Sequence, residues 1–166
     1  MSDGGSTEAI RLYEERSAIL AARYDSVPNE DYYAPVRHLI PSHPARVADI
    51  GTATGRDARW FADMGHKVVA VEPVAGFFDI ARNSDERVDW LQDALPDLPK
   101  LHARGQVFDF VNVSAVWQHL AAGERDRAVT ALRGLLAASG LLVMALRHGQ
   151  TQKGMPVYDI DVDASA

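Results

Sequence analysis

The chain has 166 residues, no cysteine and a formal net charge of −6 at pH 7, with 47% hydrophobic and 24% charged residues. Those values predict one globular domain rather than a disordered segment. They also exclude disulfides, thiolate metal sites and a thiol nucleophile. Arginine and lysine are scattered, so the acidic balance argues against nucleic acid as the main partner. No charged-then-apolar leader opens the chain, and no apolar run approaches the roughly 20 residues that span a bilayer. A cytoplasmic protein with no membrane partner is the expectation.

Residues 1–6 are small and polar. From about Thr7 to Arg23 the composition favours one helix, with Ile10, Tyr13, Ser17, Leu20 and Tyr24 on a single face. Asp25-Ser-Val-Pro28 breaks it, and Asn29 can cap a second helix running to Ile40. Pro41 and Pro44 end that helix. Thereafter the pattern alternates between strand and helix. Val47–Ile50 reads as strand one and Arg56–Met64 as a helix stopped by Gly65. Lys67–Glu72 is strand two, residues 76–82 a short helix, and Val88–Leu91 strand three. Residues 93–105 read as a loop, because Pro96 and Pro99 prevent a long helix. Val107–Val113 is strand four, Glu124–Ala138 an amphipathic helix, and Leu141–Leu146 strand five.

Such alternation implies right-handed βαβ units and a parallel sheet with helices on both faces. Ligands then bind beyond the carboxyl ends of the strands. Three of those ends suit an adenosine-type ligand. After strand one, Gly51-Thr-Ala-Thr-Gly55 keeps side chains small where a ligand approaches the backbone. Glu72 ends strand two, about 20 residues past that turn, a spacing that suits a carboxylate accepting from ribose hydroxyls. Asp93-Ala94 follows strand three and offers an acid to an adenine amino group. A nicotinamide dinucleotide is the weaker alternative. Its Gly-x-Gly-x-x-Gly pattern, aligned on Gly51, meets Ala53 and Arg56 where glycines belong.

The stretch Val47-Ala-Asp-Ile-Gly-Thr-Ala-Thr-Gly-Arg-Asp57 resembles the first motif of the class I S-adenosylmethionine-dependent methyltransferases. His66–Pro73 resembles the second, Trp90–Ala94 the adenine-contacting segment, and Phe108–Leu120 the fourth strand with the loop over the methionine end. The resemblance covers about residues 44–148 and is nearest to the small-molecule type. It implies a Rossmann-like three-layer α/β sandwich, mainly parallel, of strand order 3-2-1-4-5. Residues 1–43 would be an added helical extension, 44–148 the cofactor-binding core and 149–166 a short tail of a single domain.

The resemblance also implies roles. Asp49 and the turn Gly51, Thr52, Ala53 and Gly55 hold the methionine moiety and pack under the ribose. Glu72 takes the ribose hydroxyls, and Pro73 lines the adenine pocket. Asp93 and Ala94 meet the adenine edge. Ser114, Ala115 and Val116 lie beside the sulfonium, and Tyr24 closes over the cofactor. The implied reaction is methyl transfer from S-adenosylmethionine to an O or N nucleophile of a small molecule, with His119 the best-placed base. The other histidines lack metal-ligand spacing, so no metal is expected.

Two departures stand out. Ala53 replaces a usual glycine, which is tolerable if its φ stays negative. The family sheet also has seven strands, whereas Met155–Val162 can supply one short strand at most. Either the chain is a shortened gene product, or a second copy covers the open edge of strand five as a homodimer. A methyltransferase-like module with a binding or regulatory role therefore remains an alternative.

Overall fold

A computed structural model describes residues 4–147 and 154–160. Its centre is a parallel five-stranded sheet of order β3-β2-β1-β4-β5. The strands are β1 (Arg46–Ile50), β2 (Lys67–Val71), β3 (Asp89–Leu91), β4 (Phe108–Ser114) and β5 (Leu136–Ala145). The helices are α1 (Gly5–Glu14), α2 (Ser17–Asp25), α3 (Asn29–Tyr33), α4 (Arg56–Asp63), α5 (Ala75–Ala81), α6 (Pro99–Ala103) and α7 (Ala122–Leu135). Strand order and direction agree with the sequence expectation.

Successive strand residues serve opposite faces, and each face has its own core. Ala48, Ile50, Val69, Val71, Val111 and Val113 pack with Leu101 of α6 and with Ala128, Leu132 and Leu135 of α7. Val47, Val68, Ala70 and Phe110 pack with Ala58, Phe61 and Ala62 of α4 and Tyr33 of α3. The alternation explains why Asp49, in register with Asn112, faces the same side as Val47 and Phe110.

Several boundaries differ from expectation for physical reasons. The first helix is two, because the chain turns at Glu15–Arg16 and the Arg16 amide bonds to the Tyr13 carbonyl. The second helix becomes 3-10 from Ala34 to Leu39. Pro35 sits there without an N–H and cannot continue an α-helix. A short α6 interrupts the expected 93–105 loop, with Pro99 in its first turn. Helix α7 stops at Leu135 and β5 begins at once. The register with β4 then jumps from Phe108–Leu136 to Phe110–Leu141. Gly140 permits this, since a Cβ there would lie 2.6 Å from the Phe108 carbonyl oxygen.

Residues 155–160 form no strand among the described residues; positions 161 and 162 of the expected strand lie outside them. They run instead across the molecule as an extended strap. The Tyr158 amide donates to the Gln118 carbonyl at 2.8 Å, and Arg125 Nη1 donates to the Asp159 carbonyl at 2.8 Å. Met155 is buried against Ala9 and Leu12 of α1. The other end of α1 is fixed by Glu124, which accepts from the Ser6 hydroxyl and backbone N–H. The outer edge of β5 pairs with no strand among the described residues.

Helix α2 lies on α5, where Gly76 leaves room for Ser17: a Cβ at Gly76 would come within 2.2 Å of Ser17 Oγ. Gly76→Ala should therefore lower the melting temperature despite alanine's better helix propensity, and expose α1 and α2 to limited proteolysis. Adding Ser17→Gly should restore the protease resistance.

Candidate functional site

A cavity of about 440 Å³ opens at the carboxyl ends of the strands, between the sheet and helices α1 and α2. Its floor is the turn after β1. Gly51, Ala53 and Gly55 all have positive φ, at 75°, 50° and 80°. Ala53 thus adopts the left-handed region, so the condition of a negative φ under which alanine is tolerable there is not met, and a non-glycine residue costs about 1 kcal/mol. Gly51 is required on two counts, since a Cβ would also meet Val116 Cγ2 at 2.4 Å. At Gly55 a Cβ would strike the Trp90 ring at 2.5 Å.

Glu72 stands at the end of β2 with 4% exposure. Its Oε2 accepts from the Ala53 amide at 2.7 Å and its Oε1 from the Val74 amide at 2.8 Å. One carboxylate therefore joins the glycine turn to the β2–α5 loop. Each oxygen keeps a further acceptor site. Burial pushes the Glu72 carboxyl up to about 7, against the lowering effect of the two amides.

Asp49 is buried below the turn. Its Oδ1 accepts from Asn112 Nδ2 at 2.8 Å and its Oδ2 from Thr52 Oγ1 at 2.5 Å. Asn112 also donates to the Tyr33 hydroxyl at 2.9 Å, and that hydroxyl donates to Asp57 Oδ2 at 2.6 Å. Arg56 neutralises Asp57 from 2.6 Å and donates to the Tyr24 carbonyl at 3.1 Å. Burial, then the nearby Asp57 carboxylate, raise the Asp49 carboxyl above the usual range. This network holds the turn, α3 and the α4 start in one arrangement. It also ties α2 to the turn, as does Thr54 Oγ1, which donates to Asp25 Oδ1 at 2.6 Å.

Of the sequence-derived residues, Tyr24, Gly51, Thr52, Ala53, Glu72, Pro73, Asp93, Ala94, Ser114, Ala115, Val116 and His119 all line the cavity. Asp49 and Gly55 stand behind its wall and shape the turn from below. Asp93 caps the residues that follow it: Oδ1 accepts from the Ala94 amide at 3.0 Å and Oδ2 from the Leu101 amide at 2.9 Å. Ser114 Oγ pairs with the Tyr32 hydroxyl at 2.7 Å. Ala115 has φ 54°, a second left-handed alanine on the wall.

His119 lies in a 3-10 turn, Trp117–His119, and is 5% exposed. Its Nδ1 is 2.8 Å from the Pro156 carbonyl oxygen, which can only accept. Nδ1 therefore carries the proton, and Nε2 is the acceptor facing the Tyr13 hydroxyl at 3.1 Å. Burial holds the imidazole below its ordinary pKa. Tyr13, from α1, lines the cavity with Ser6, Ala9 and Ile10. Its helical spacing marks an apolar face, but nothing local shows that the face covers a ligand site.

The geometry sets a test. A Tyr13→Phe variant removes a donor to neutral Nε2, so the His119 titration midpoint in an NMR pH series should rise. The Nδ1–H tautomer should persist in the 15N shifts, because the Pro156 carbonyl is unchanged.

Among the described residues no group of three or more His, Asp or Glu could hold a metal, and no helix is long and apolar enough to cross a membrane. No curated protein gives a significant match to the sequence. Solved structures share its fold. The glycopeptide N-methyltransferase MtfA, solved with S-adenosylmethionine, superposes with a TM-score of 0.61 at 16% identity, over 72% of this chain and 54% of that one. The DhpI–SAM–HEP complex gives 0.65 at 19% identity, over 87% of this chain and 67% of that one. A putative methyltransferase from an antibiotic biosynthesis pathway of Anabaena variabilis gives 0.57 at 22%, over 74% and 47%. The chain thus spans about half the length of MtfA and two thirds of DhpI. Residues 48–144, from β1 into β5, match the methyltransferase domain family, and the chain belongs to that family.

Proposed function

We propose that the chain binds S-adenosylmethionine and transfers its methyl group to an O or N nucleophile of a small molecule. The observation that carries this reading is the buried Glu72 carboxylate, fixed by two backbone amides at the cavity floor with an acceptor site left on each oxygen. A vicinal diol such as a ribose supplies two donors at matching spacing. The volume, about 440 Å³, suits a nucleoside carrying an amino-acid arm. Gly51 lets the turn pack directly on Val116, whose Cγ2 lies 2.4 Å from where a Cβ would stand, so the two walls bordering that arm meet closely. Solved proteins of the same fold hold S-adenosylmethionine or S-adenosylhomocysteine.

The cofactor would supply an activated methyl group on a sulfonium. The chain's part is to align donor and acceptor and to exclude water. Glu72 accepts from the ribose, while Pro73, Asp93 and Ala94 enclose the adenine. Gly51, Thr52 and Ala53 border the amino-acid arm, and Asp49 fixes Thr52 from beneath. Ser114, Ala115 and Val116 flank the sulfonium, and Tyr24 with α1 covers it. His119 Nε2, neutral at pH 7, receives a proton from the acceptor through the Tyr13 hydroxyl. With the cofactor bound, these residues would hold the acceptor nucleophile in line with the methyl group that the sulfonium would supply.

Thermal shift in parallel with S-adenosylhomocysteine, S-adenosylmethionine and NAD tests the reading. Stabilisation by the first two and not by NAD is expected, and Glu72→Ala should abolish it. A shift with NAD alone favours an oxidoreductase, and no shift with any of the three favours a non-catalytic module.

The pH dependence has a definite sign. Glu72 titrates near 7 in the folded chain and near 4.5 unfolded. Its protonated form therefore contributes stability that is complete below 4.5 and lost as pH rises to about 7. Ribose donors prefer the ionised carboxylate, so S-adenosylhomocysteine affinity should rise between pH 6 and 8. Glu72→Gln should flatten that rise, and calorimetric titration at the two pH values reads it.

A further inference from the structure

One corner of the cavity is not used by the groups assigned to the cofactor. Tyr13 of α1, His119 of the turn after β4 and Arg147 just past β5 all line the cavity there. The first two satisfy each other. Tyr13 donates to His119 Nε2 at 3.1 Å, His119 Nδ1 donates to Pro156, and their rings meet edge to face with centroids 5.4 Å apart. The pair is neutral and leaves the guanidinium uncompensated.

Arg147 is exposed at the cavity and forms no ion pair or hydrogen bond among the described residues. Its charge acts on both Tyr13 and His119. The carboxylates of the same cavity are already engaged. Asp57 holds Arg56 and Tyr33, Glu72 holds two amides and Asp93 two more. Several other arginines of this acidic chain pair with carboxylates, as Arg46 does with Asp109 and Arg104 with Asp89. Arg23, also on the cavity, is set apart from Arg147 because it does not act on the Tyr13–His119 pair. An unpaired guanidinium beside buried aromatic groups and a neutral imidazole is a ready partner for an anion, because its planar fork matches an oxyanion's geometry.

We propose that this corner is the acceptor subsite and that Arg147 binds an oxyanion, a carboxylate or phosphate group, of the small-molecule acceptor. The word acceptor rests on the methyl-transfer reading above; the anion site does not. An acceptor seated on Arg147 is brought next to the Tyr13 hydroxyl, the one polar group of the pair able to take a further hydrogen bond on its oxygen. Recognition of the charge and removal of the proton then fall to neighbouring residues from different elements.

Calorimetric titration of inorganic phosphate and of acetate, at constant ionic strength set with sodium chloride, tests the site with and without S-adenosylhomocysteine. One or both anions should bind the wild-type chain, and Arg147→Gln should weaken that binding about tenfold or more. Arg23→Gln removes another exposed cavity arginine and should change it by less than about twofold. The NMR titration midpoint of His119 should rise when the anion binds wild type, because a nearby negative charge favours imidazolium. Unchanged affinity in Arg147→Gln, equal losses in both variants, or no binding of either anion below about 50 mM overturns the proposal. If S-adenosylhomocysteine fails to bind while the anion and variant effects hold, the cofactor reading fails and the anion site stands.

Discussion

The arrangement depends on one buried carboxylate with two backbone partners. Glu72 accepts from Ala53 in the turn after β1 and from Val74 in the loop after β2. Those are the adjacent carboxyl ends that form the floor of the cavity. Without the acid, the turn would carry an unsatisfied amide at Ala53, a residue already held at φ 50°. The same group that stabilises the floor is placed to receive a diol. On the proposed reading, structural support and ligand recognition share one side chain. Its burial raises the free energy of the ionised form, and a bound donor pair would offset that.

The parallel sheet was legible because buried strands and the helices between them have different periods. Val47–Ile50, Lys67–Val71 and the α4 face carry those patterns plainly. The glycine turn and the strand-end acids were legible because backbone approach and diol recognition restrict residue types. The split of the first helix was not, since it depends on how α1 and α2 wrap two different surfaces, the strap at Met155 and α5 at Gly76. The end of α3 was available in Pro35. The direct passage from α7 to β5 depends on a close approach between Gly140 and Phe108, a contact across the sheet that no local pattern encodes.

The site itself divides along the same line. Most of the strand-end residues were found, and Tyr24 with them, but Tyr13 was not, nor was Arg147, although it lies just past β5. Tyr13 lies 106 positions from His119, and only the docking of α1 over the cavity makes them neighbours. That docking relies on three separate anchors: Ser6 on Glu124, Met155 beside Ala9 and Leu12, and the α2 bonds from Thr54 and Arg56. The strap of residues 155–160 also supplies the Pro156 carbonyl that fixes the imidazole tautomer. Cover, strap and histidine are thus one unit.

A crystal structure with S-adenosylhomocysteine tests the central claim most directly. The expected result places both ribose hydroxyls within hydrogen-bond distance of Glu72, with the Ala53 and Val74 amides still donating to it. The thioether sulfur should lie beside Ser114–Val116 and the amino-acid arm over Gly51. A ligand bound elsewhere, or one in this cavity that leaves Glu72 without contact, would contradict the account.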